Sequence, residues 1–182
     1  GGMPTTQITG TDIATAPKGI WKVIRSAMPI EVGTLIVAML SAYVLGLCLG
    51  LSPGLSLLLG LGFGLSSVNV LYLVAGHATK VRAIATMPGV VAGVVLVFRN
   101  RMWAGAGVAA FFGALHLQAD HLQMTYYLLF LLGAIVIAAW IRSALMGTMK
   151  STLQGTGLLV LAGLLAAMPM TGQLTMTEQY SE

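Results

Sequence analysis

The sequence predicts an all-α polytopic membrane protein, a single bundle of five or six transmembrane helices. Three observations support this fold class. Hydrophobic residues make up 57% of the chain and charged residues only 8%, against about 25% in soluble domains. The mean hydropathy is +0.91. The apolar residues fall into runs separated by short polar turns. So few charges cannot solvate a soluble surface, so lipid must cover most of the exterior.

The chain begins with a polar stretch, residues 1–16, for which we expect a flexible tail. Residues 17–30 are amphipathic, with Lys18, Lys22 and Arg25 on one helical face and apolar side chains opposite. Trp21 falls at the edge between the two faces. This pattern is typical of a helix lying in the membrane interface. The alternative is a short extension of the first span.

The first two apolar runs, residues 32–51 and 55–75, each have the length that crosses a bilayer. A turn, Ser52-Pro53-Gly54, separates them, and a basic loop follows at residues 76–82. Further along, residues 124–141 form another span. Residues 142–154 are predicted to be a basic connecting helix in the interface, and residues 155–168 form the last apolar run. The transmembrane domain is thus expected over 31–170, with a polar tail at 171–182.

Two shorter runs, residues 83–98 and 102–117, leave the topology open. Each has 16 residues and rises roughly 24 Å as a helix, less than the roughly 30 Å hydrocarbon layer. If both cross, the nine basic residues divide five to four between the two sides. If residues 83–98 instead turn back near Pro88–Gly89 as a re-entrant segment, all nine share one side. Because lysine and arginine mark the cytoplasmic side, this charge sorting favours the re-entrant arrangement and a cytoplasmic N-terminus.

Glycine accounts for 23 of 182 residues, and several glycines are spaced four apart. These are Gly46, Gly50 and Gly54, then Gly60 and Gly64, then Gly89 and Gly93. Small residues at this spacing let transmembrane helices approach closely. The pattern therefore predicts tight helix contacts, within one chain or between copies. With so few spans we expect a homo-oligomer or an assembly with other membrane subunits.

Polar residues lie near the centre of the second run: Ser66, Ser67 and Asn69, with Tyr72 a turn later. Polar side chains at bilayer depth cost free energy, so their presence indicates a structural or functional role. One hypothesis is a substrate path lined by these four residues. The other is hydrogen bonding between helices, which needs no substrate.

A second cluster, His116, Asp120 and His121, predicts a metal site, since imidazole and carboxylate groups bind first-row divalent ions. In the re-entrant topology this loop shares the outer face with four methionines, whose thioethers suit Cu(I). They are Met124, Met168, Met170 and Met176. The alternatives are a loop whose polar groups bond to one another and to water, and methionines that only pack.

No catalytic or nucleotide-binding motif is present in the sequence, and the lone Cys48 permits no disulfide within the chain. We therefore expect a protein that is not an enzyme, has no identifiable cofactor and does not bind nucleic acid. The leading functional hypothesis is a small oligomeric permease or channel subunit in the bacterial inner membrane. The alternatives are a non-catalytic subunit of a larger membrane complex and a protein that handles copper or nickel at the outer face.

Overall fold

A computed structural model describes residues 19–168, which form eight helices and contain no strands. The helices are α1 (Ile20–Ala27), α2 (Ile30–Leu49), α3 (Pro53–Gly64), α4 (Ser67–Val74), α5 (Ala78–Phe98), α6 (Met102–Leu117), α7 (Leu122–Met146) and α8 (Met149–Ala167). The tails expected at 1–16 and 171–182 lie outside the described residues, as do Lys18, Met170 and Met176.

Five segments are long and apolar enough to cross a membrane: α2, α3 with α4 (Pro53–Val74), α5, α7 and α8. The predicted all-α polytopic membrane bundle is thereby confirmed. The sixth apolar helix, α6, has 16 residues and rises roughly 24 Å. Because the connections between these elements are short, each runs antiparallel to the one before it.

Helix α5 is the central element, and it is continuous. In its most apolar window 67% of the residues are buried, against 11% in α7. Pro88 lies inside this helix, where it removes one backbone donor, yet the helix does not break. Ser41 of α2 donates to the carbonyl of Ala85 at 2.5 Å, and so supplies a donor to the turn before the proline. The re-entrant turn expected at Pro88–Gly89 is therefore wrong: α5 runs without interruption from Ala78 to Phe98 and is the most buried of the candidate spans.

A continuous α5 places basic residues at both ends of the bundle. Lys22, Arg25, Lys80 and Arg82 lie at the end where α1 is found, and Arg99, Arg101, Arg142 and Lys150 lie at the opposite end. The expectation that all lysines and arginines share one side is wrong for the same reason. The predicted basic connecting helix at 142–154 is also absent as a separate element. Helix α7 runs on to Met146, and Gly147, with φ +70°, ends it just before α8.

The glycines spaced four apart pack mostly within the chain. A Cβ atom on Gly60 would lie 2.6 Å from the carbonyl oxygen of Met39 in α2, and one on Gly93 would lie 2.7 Å from the Cα atom of Ala109 in α6. Gly46, Gly64 and Gly89 make equally close approaches to neighbouring helices. Only glycine fits at such distances, so the spacing did predict tight contacts. Gly54, by contrast, faces open space.

Candidate functional site

The second span is interrupted where its polar residues lie. Helix α3 ends at Gly64 and α4 begins at Ser67, in the middle of an otherwise apolar segment. Asn69 is 2% exposed, and its Nδ2 donates to the carbonyl of Phe63 at 2.8 Å and to that of Gly64 at 3.4 Å. Asn69 therefore satisfies carbonyl oxygens that the end of α3 leaves without helical donors.

No described side chain accepts a capping hydrogen bond from the backbone N–H groups at the start of α4. Ser66 occupies the N-cap position, but its side chain makes no capping hydrogen bond. The first N–H groups of a helix have no acceptor within the helix, so those of α4 remain available. Ser66 is half-buried and Ser67 is exposed. The interruption thus combines free backbone donors with two serine hydroxyls at a surface that the rest of the bundle does not cover.

Three of the four predicted path residues, Ser66, Ser67 and Asn69, meet at this interruption. Tyr72 does not. Its ring packs edge-on against His77 with the centroids 6.1 Å apart, and the Lys80 ammonium lies 4.2 Å from its ring centroid. Tyr72 belongs to the contact between the end of α4 and the start of α5. The sequence showed polar residues near the centre of this run but gave no sign that the helix itself breaks there.

His116 is buried between three helices, with both ring nitrogens engaged. Nδ1 lies 3.1 Å from Thr86 Oγ1 and 3.1 Å from the Ala83 carbonyl, both on α5. Nε2 lies 3.2 Å from Thr125 Oγ1 on α7. The Thr86 hydroxyl is itself bonded to the Ala83 carbonyl at 2.8 Å. His116 therefore joins α5, α6 and α7 through a compact polar network.

The structure does not bring His116, Asp120 and His121 together as a ligand set. Asp120 is exposed in the loop with φ +56°, and the buried Nδ1 of His121 has no hydrogen-bond partner. Within residues 19–168, no three side chains of His, Cys, Asp or Glu lie close enough to hold a metal ion. Met124 packs against Ala83 and Ala119 in a small apolar cluster. Nothing in this geometry supports the metal hypothesis.

Sequence reasoning missed the role of Trp21. Its side chain is fully buried, and its Nε1 donates to the Leu115 carbonyl at 2.9 Å. The guanidinium carbon of Arg82 lies 6.0 Å from the Trp21 ring centroid, and Arg82 is 3% exposed rather than in a solvated loop. Gln118 adds a bond, accepting from the Ile20 backbone at 3.0 Å. Helix α1 is therefore docked onto α5 and α6 mainly through Trp21, whereas Lys22, Val23 and Arg25 are exposed.

The network around His116 and the α3–α4 interruption thus differ in the hydrogen-bonding groups that they leave available. The network around His116 is internally bonded and holds helices together. The α3–α4 interruption offers hydrogen-bond donors in apolar surroundings, which suits a solute with an oxygen acceptor or a negative charge. Compared with protein-family models, with curated proteins and with solved structures, the chain matches none.

Proposed function

We propose that this protein is a small permease or channel subunit that acts as an oligomer, with the α3–α4 interruption forming part of the solute path. The main supporting observation is that a segment long enough to span the membrane is interrupted at Ser66, on a face that residues 19–168 leave uncovered. Only 17% of the most apolar window of Pro53–Val74 is buried. Irregular backbone is tolerated at membrane depth only where protein or water satisfies its polar groups. The open face of the interruption therefore calls for water, a solute or a neighbouring subunit.

The asymmetry of the interruption supports a solute that accepts hydrogen bonds. Asn69 satisfies the carbonyl side, whereas the N–H side of α4 stays available. The N-terminus of a helix carries partial positive charge, and broken helices in transporters direct such ends at anionic groups of the substrate. The hydroxyls of Ser66 and Ser67 are suitably placed to add further contacts. We therefore assign the path to a small anion or a small carbonyl-bearing solute.

For the location, we propose the bacterial inner membrane with the N-terminus in the cytoplasm. The basic residues ahead of the first span support this orientation, since the first helix usually dominates topology. The proposal involves no chemical reaction and no cofactor, in keeping with a sequence that carries no catalytic motif.

Cysteine labelling in native membranes tests the path. In a Cys48→Ala background, we expect a Ser67→Cys variant to react with a charged thiosulfonate reagent, because water or solute reaches the interruption. The matched control is Leu58→Cys, since Leu58 is 65% exposed on the apolar surface of α3 and should meet lipid. Failure of Ser67→Cys to react, or equal reaction of both variants, would contradict the path.

Flux measurements then test transport itself. Liposomes containing the Ser67→Cys variant should pass small anions from a broad panel, and the thiosulfonate reagent should block that flux. The same reagent should leave the Leu58→Cys variant unaffected. If liposomes with the unmodified protein pass neither ions nor small solutes, the permease hypothesis fails.

A second candidate, a non-catalytic subunit of a larger membrane complex, is favoured by α7. This helix has 25 residues, and only 11% of its most apolar window is buried. Exposed aromatic side chains, Tyr126, Tyr127 and Phe130, lie along its first turns and offer contact area for partner helices. Purification from native membranes separates the two candidates. A stable homomer with no co-purifying protein would argue against this second function.

A further inference from the structure

A cavity of about 850 Å³ lies at the end of the bundle where α5 and α7 end and α8 begins. One part of its wall is apolar and includes Val95 of α5 and Ile135 of α7. The other part is polar and includes Arg99, Arg142, Ser151 and Thr152. Its volume falls within the range of roughly 300–1,000 Å³ that is usual for ligand sites. The cavity therefore combines two arginine side chains with an apolar wall between helices.

The two arginines are placed differently. The Nη1 of Arg99 donates to the Cys48 carbonyl at the end of α2, which fixes its side chain beside the cavity. Arg142 has no hydrogen bond or ion pair with any residue between 19 and 168. Because a guanidinium group carries five donors, both arginines keep donors available for a ligand.

Neighbouring charges make this end attractive to anions. Arg101 and Lys150 lie at the same end of the bundle as the two cavity arginines. The acidic residues within 19–168, Glu31 and Asp120, lie at the opposite end. No carboxylate within residues 19–168 therefore neutralises the four cations or competes there with an external anion.

The residues that line the cavity favour an amphiphilic ligand, because part of the wall is apolar and part is basic. Arginine forks bind phosphate and carboxylate oxygens in a bidentate manner, and Ser151 and Thr152 add hydroxyl donors. An apolar wall beside such a group suits a hydrocarbon chain. We propose that this cavity binds the phosphate of an anionic phospholipid, with an acyl chain lying against Val95 and Ile135.

Lipid titration of the purified full-length protein tests the site. The protein would be stripped of lipid in detergent, and binding of phosphatidylglycerol, phosphatidylcholine and inorganic phosphate measured by native mass spectrometry. We expect phosphatidylglycerol to bind tightest, because only it combines a net negative headgroup with acyl chains. An Arg142→Gln variant should bind it roughly tenfold more weakly, since a charge-assisted hydrogen bond is lost. Arg142→Lys should fall between, because it keeps the charge without the fork.

The matched control is Lys150→Gln, which removes the same charge at the same end but does not line the cavity. It should leave phosphatidylglycerol binding unchanged. Equal loss in both Gln variants would mean diffuse electrostatic attraction, and unchanged binding in Arg142→Gln would mean no site; each result overturns the proposal. Binding of inorganic phosphate as tight as that of the lipid would overturn it too, in favour of a free anion. Because the measurement is binding, its outcome does not depend on whether the protein transports a solute.

Discussion

Each ring nitrogen of His116 lies within hydrogen-bonding distance of a different neighbouring helix, α5 on one side and α7 on the other. The His116 side chain is 2% exposed, so water cannot replace the hydrogen bonds that it makes with these partners. A buried donor or acceptor that loses its partner costs free energy even when the overall packing survives. His116 is therefore best understood as a structural residue.

A His116→Ala variant is expected to lower the free energy of unfolding by about 1–2 kcal/mol, since it leaves Thr125 without its histidine partner and opens a small cavity. Thermal denaturation in detergent would measure the change. The matched control is His121→Ala, because the buried Nδ1 of His121 has no partner to lose. Equal destabilisation by both variants would contradict the assigned role.

Asn69 shows how a single side chain permits an irregular element. Without its bonds to Phe63 and Gly64, the end of α3 would expose unpaired carbonyls in apolar surroundings. The polar residue was visible in the sequence, but its partners are the backbone atoms of a break that hydropathy does not reveal. The sequence therefore predicted a polar location and left its purpose open.

Helix pairing depends on where glycine faces a neighbour. Gly93 of α5 approaches the backbone of Ala109 in α6, and Gly105 of α6 approaches Val97 in return. These contacts bring the two backbones together along the centre of the bundle. Gly107, only two residues from Gly105, faces open space. On α6, therefore, Gly105 allows a close helix contact, whereas Gly107 makes none within the described residues.

We expect Gly93→Ala to destabilise the protein by about 1–3 kcal/mol, because the added methyl group would overlap the α6 backbone, which cannot move aside cheaply. Gly107→Ala should be neutral, or stabilising by less than about 1 kcal/mol, because alanine favours a helix and nothing obstructs it. Denaturation in the same detergent compares the two variants. Destabilisation of similar size at Gly107 would mean that backbone propensity, not helix contact, controls stability.

At the scale of the whole molecule, the continuous α5 fixes the path of the chain. The turn at 99–101 and the loop at 118–121 must lie at opposite ends of the bundle, because α6 alone separates them. The eight basic residues within 19–168 then divide four and four between the two ends, and charge sorting no longer selects one topology. Tight helix contacts in the core override the charge pattern on the connections.

Accessibility from the two sides of the membrane tests this path. In a Cys48→Ala background, an impermeant thiol reagent should label Asn100→Cys from one side and Gln123→Cys from the other; both residues are exposed. The control is labelling after the membrane is permeabilised, when both variants should react fully. Labelling of both from the same side would restore a re-entrant arrangement for residues 83–98.

The sequence by itself determined that the chain is helical, apolar and embedded in a membrane, and which stretches form its apolar helices. These features follow from composition, run length and turn residues, each of which acts within a short segment. The four-residue spacing of glycines also predicted close approach, which holds for Gly60 and Gly93 but not for Gly54.

Only the tertiary structure decided that Pro88 leaves α5 intact, that Trp21 is buried, and that His116 is bonded on both sides. In each case the side chain or helix turn contacts residues that are distant in the chain. Ser41 lies 44 residues before the Ala85 carbonyl that it bonds, and Leu115 lies 94 residues after Trp21. Hydropathy reports how a segment partitions into lipid, whereas the fate of a polar group inside the bundle depends on which neighbour packing brings to it.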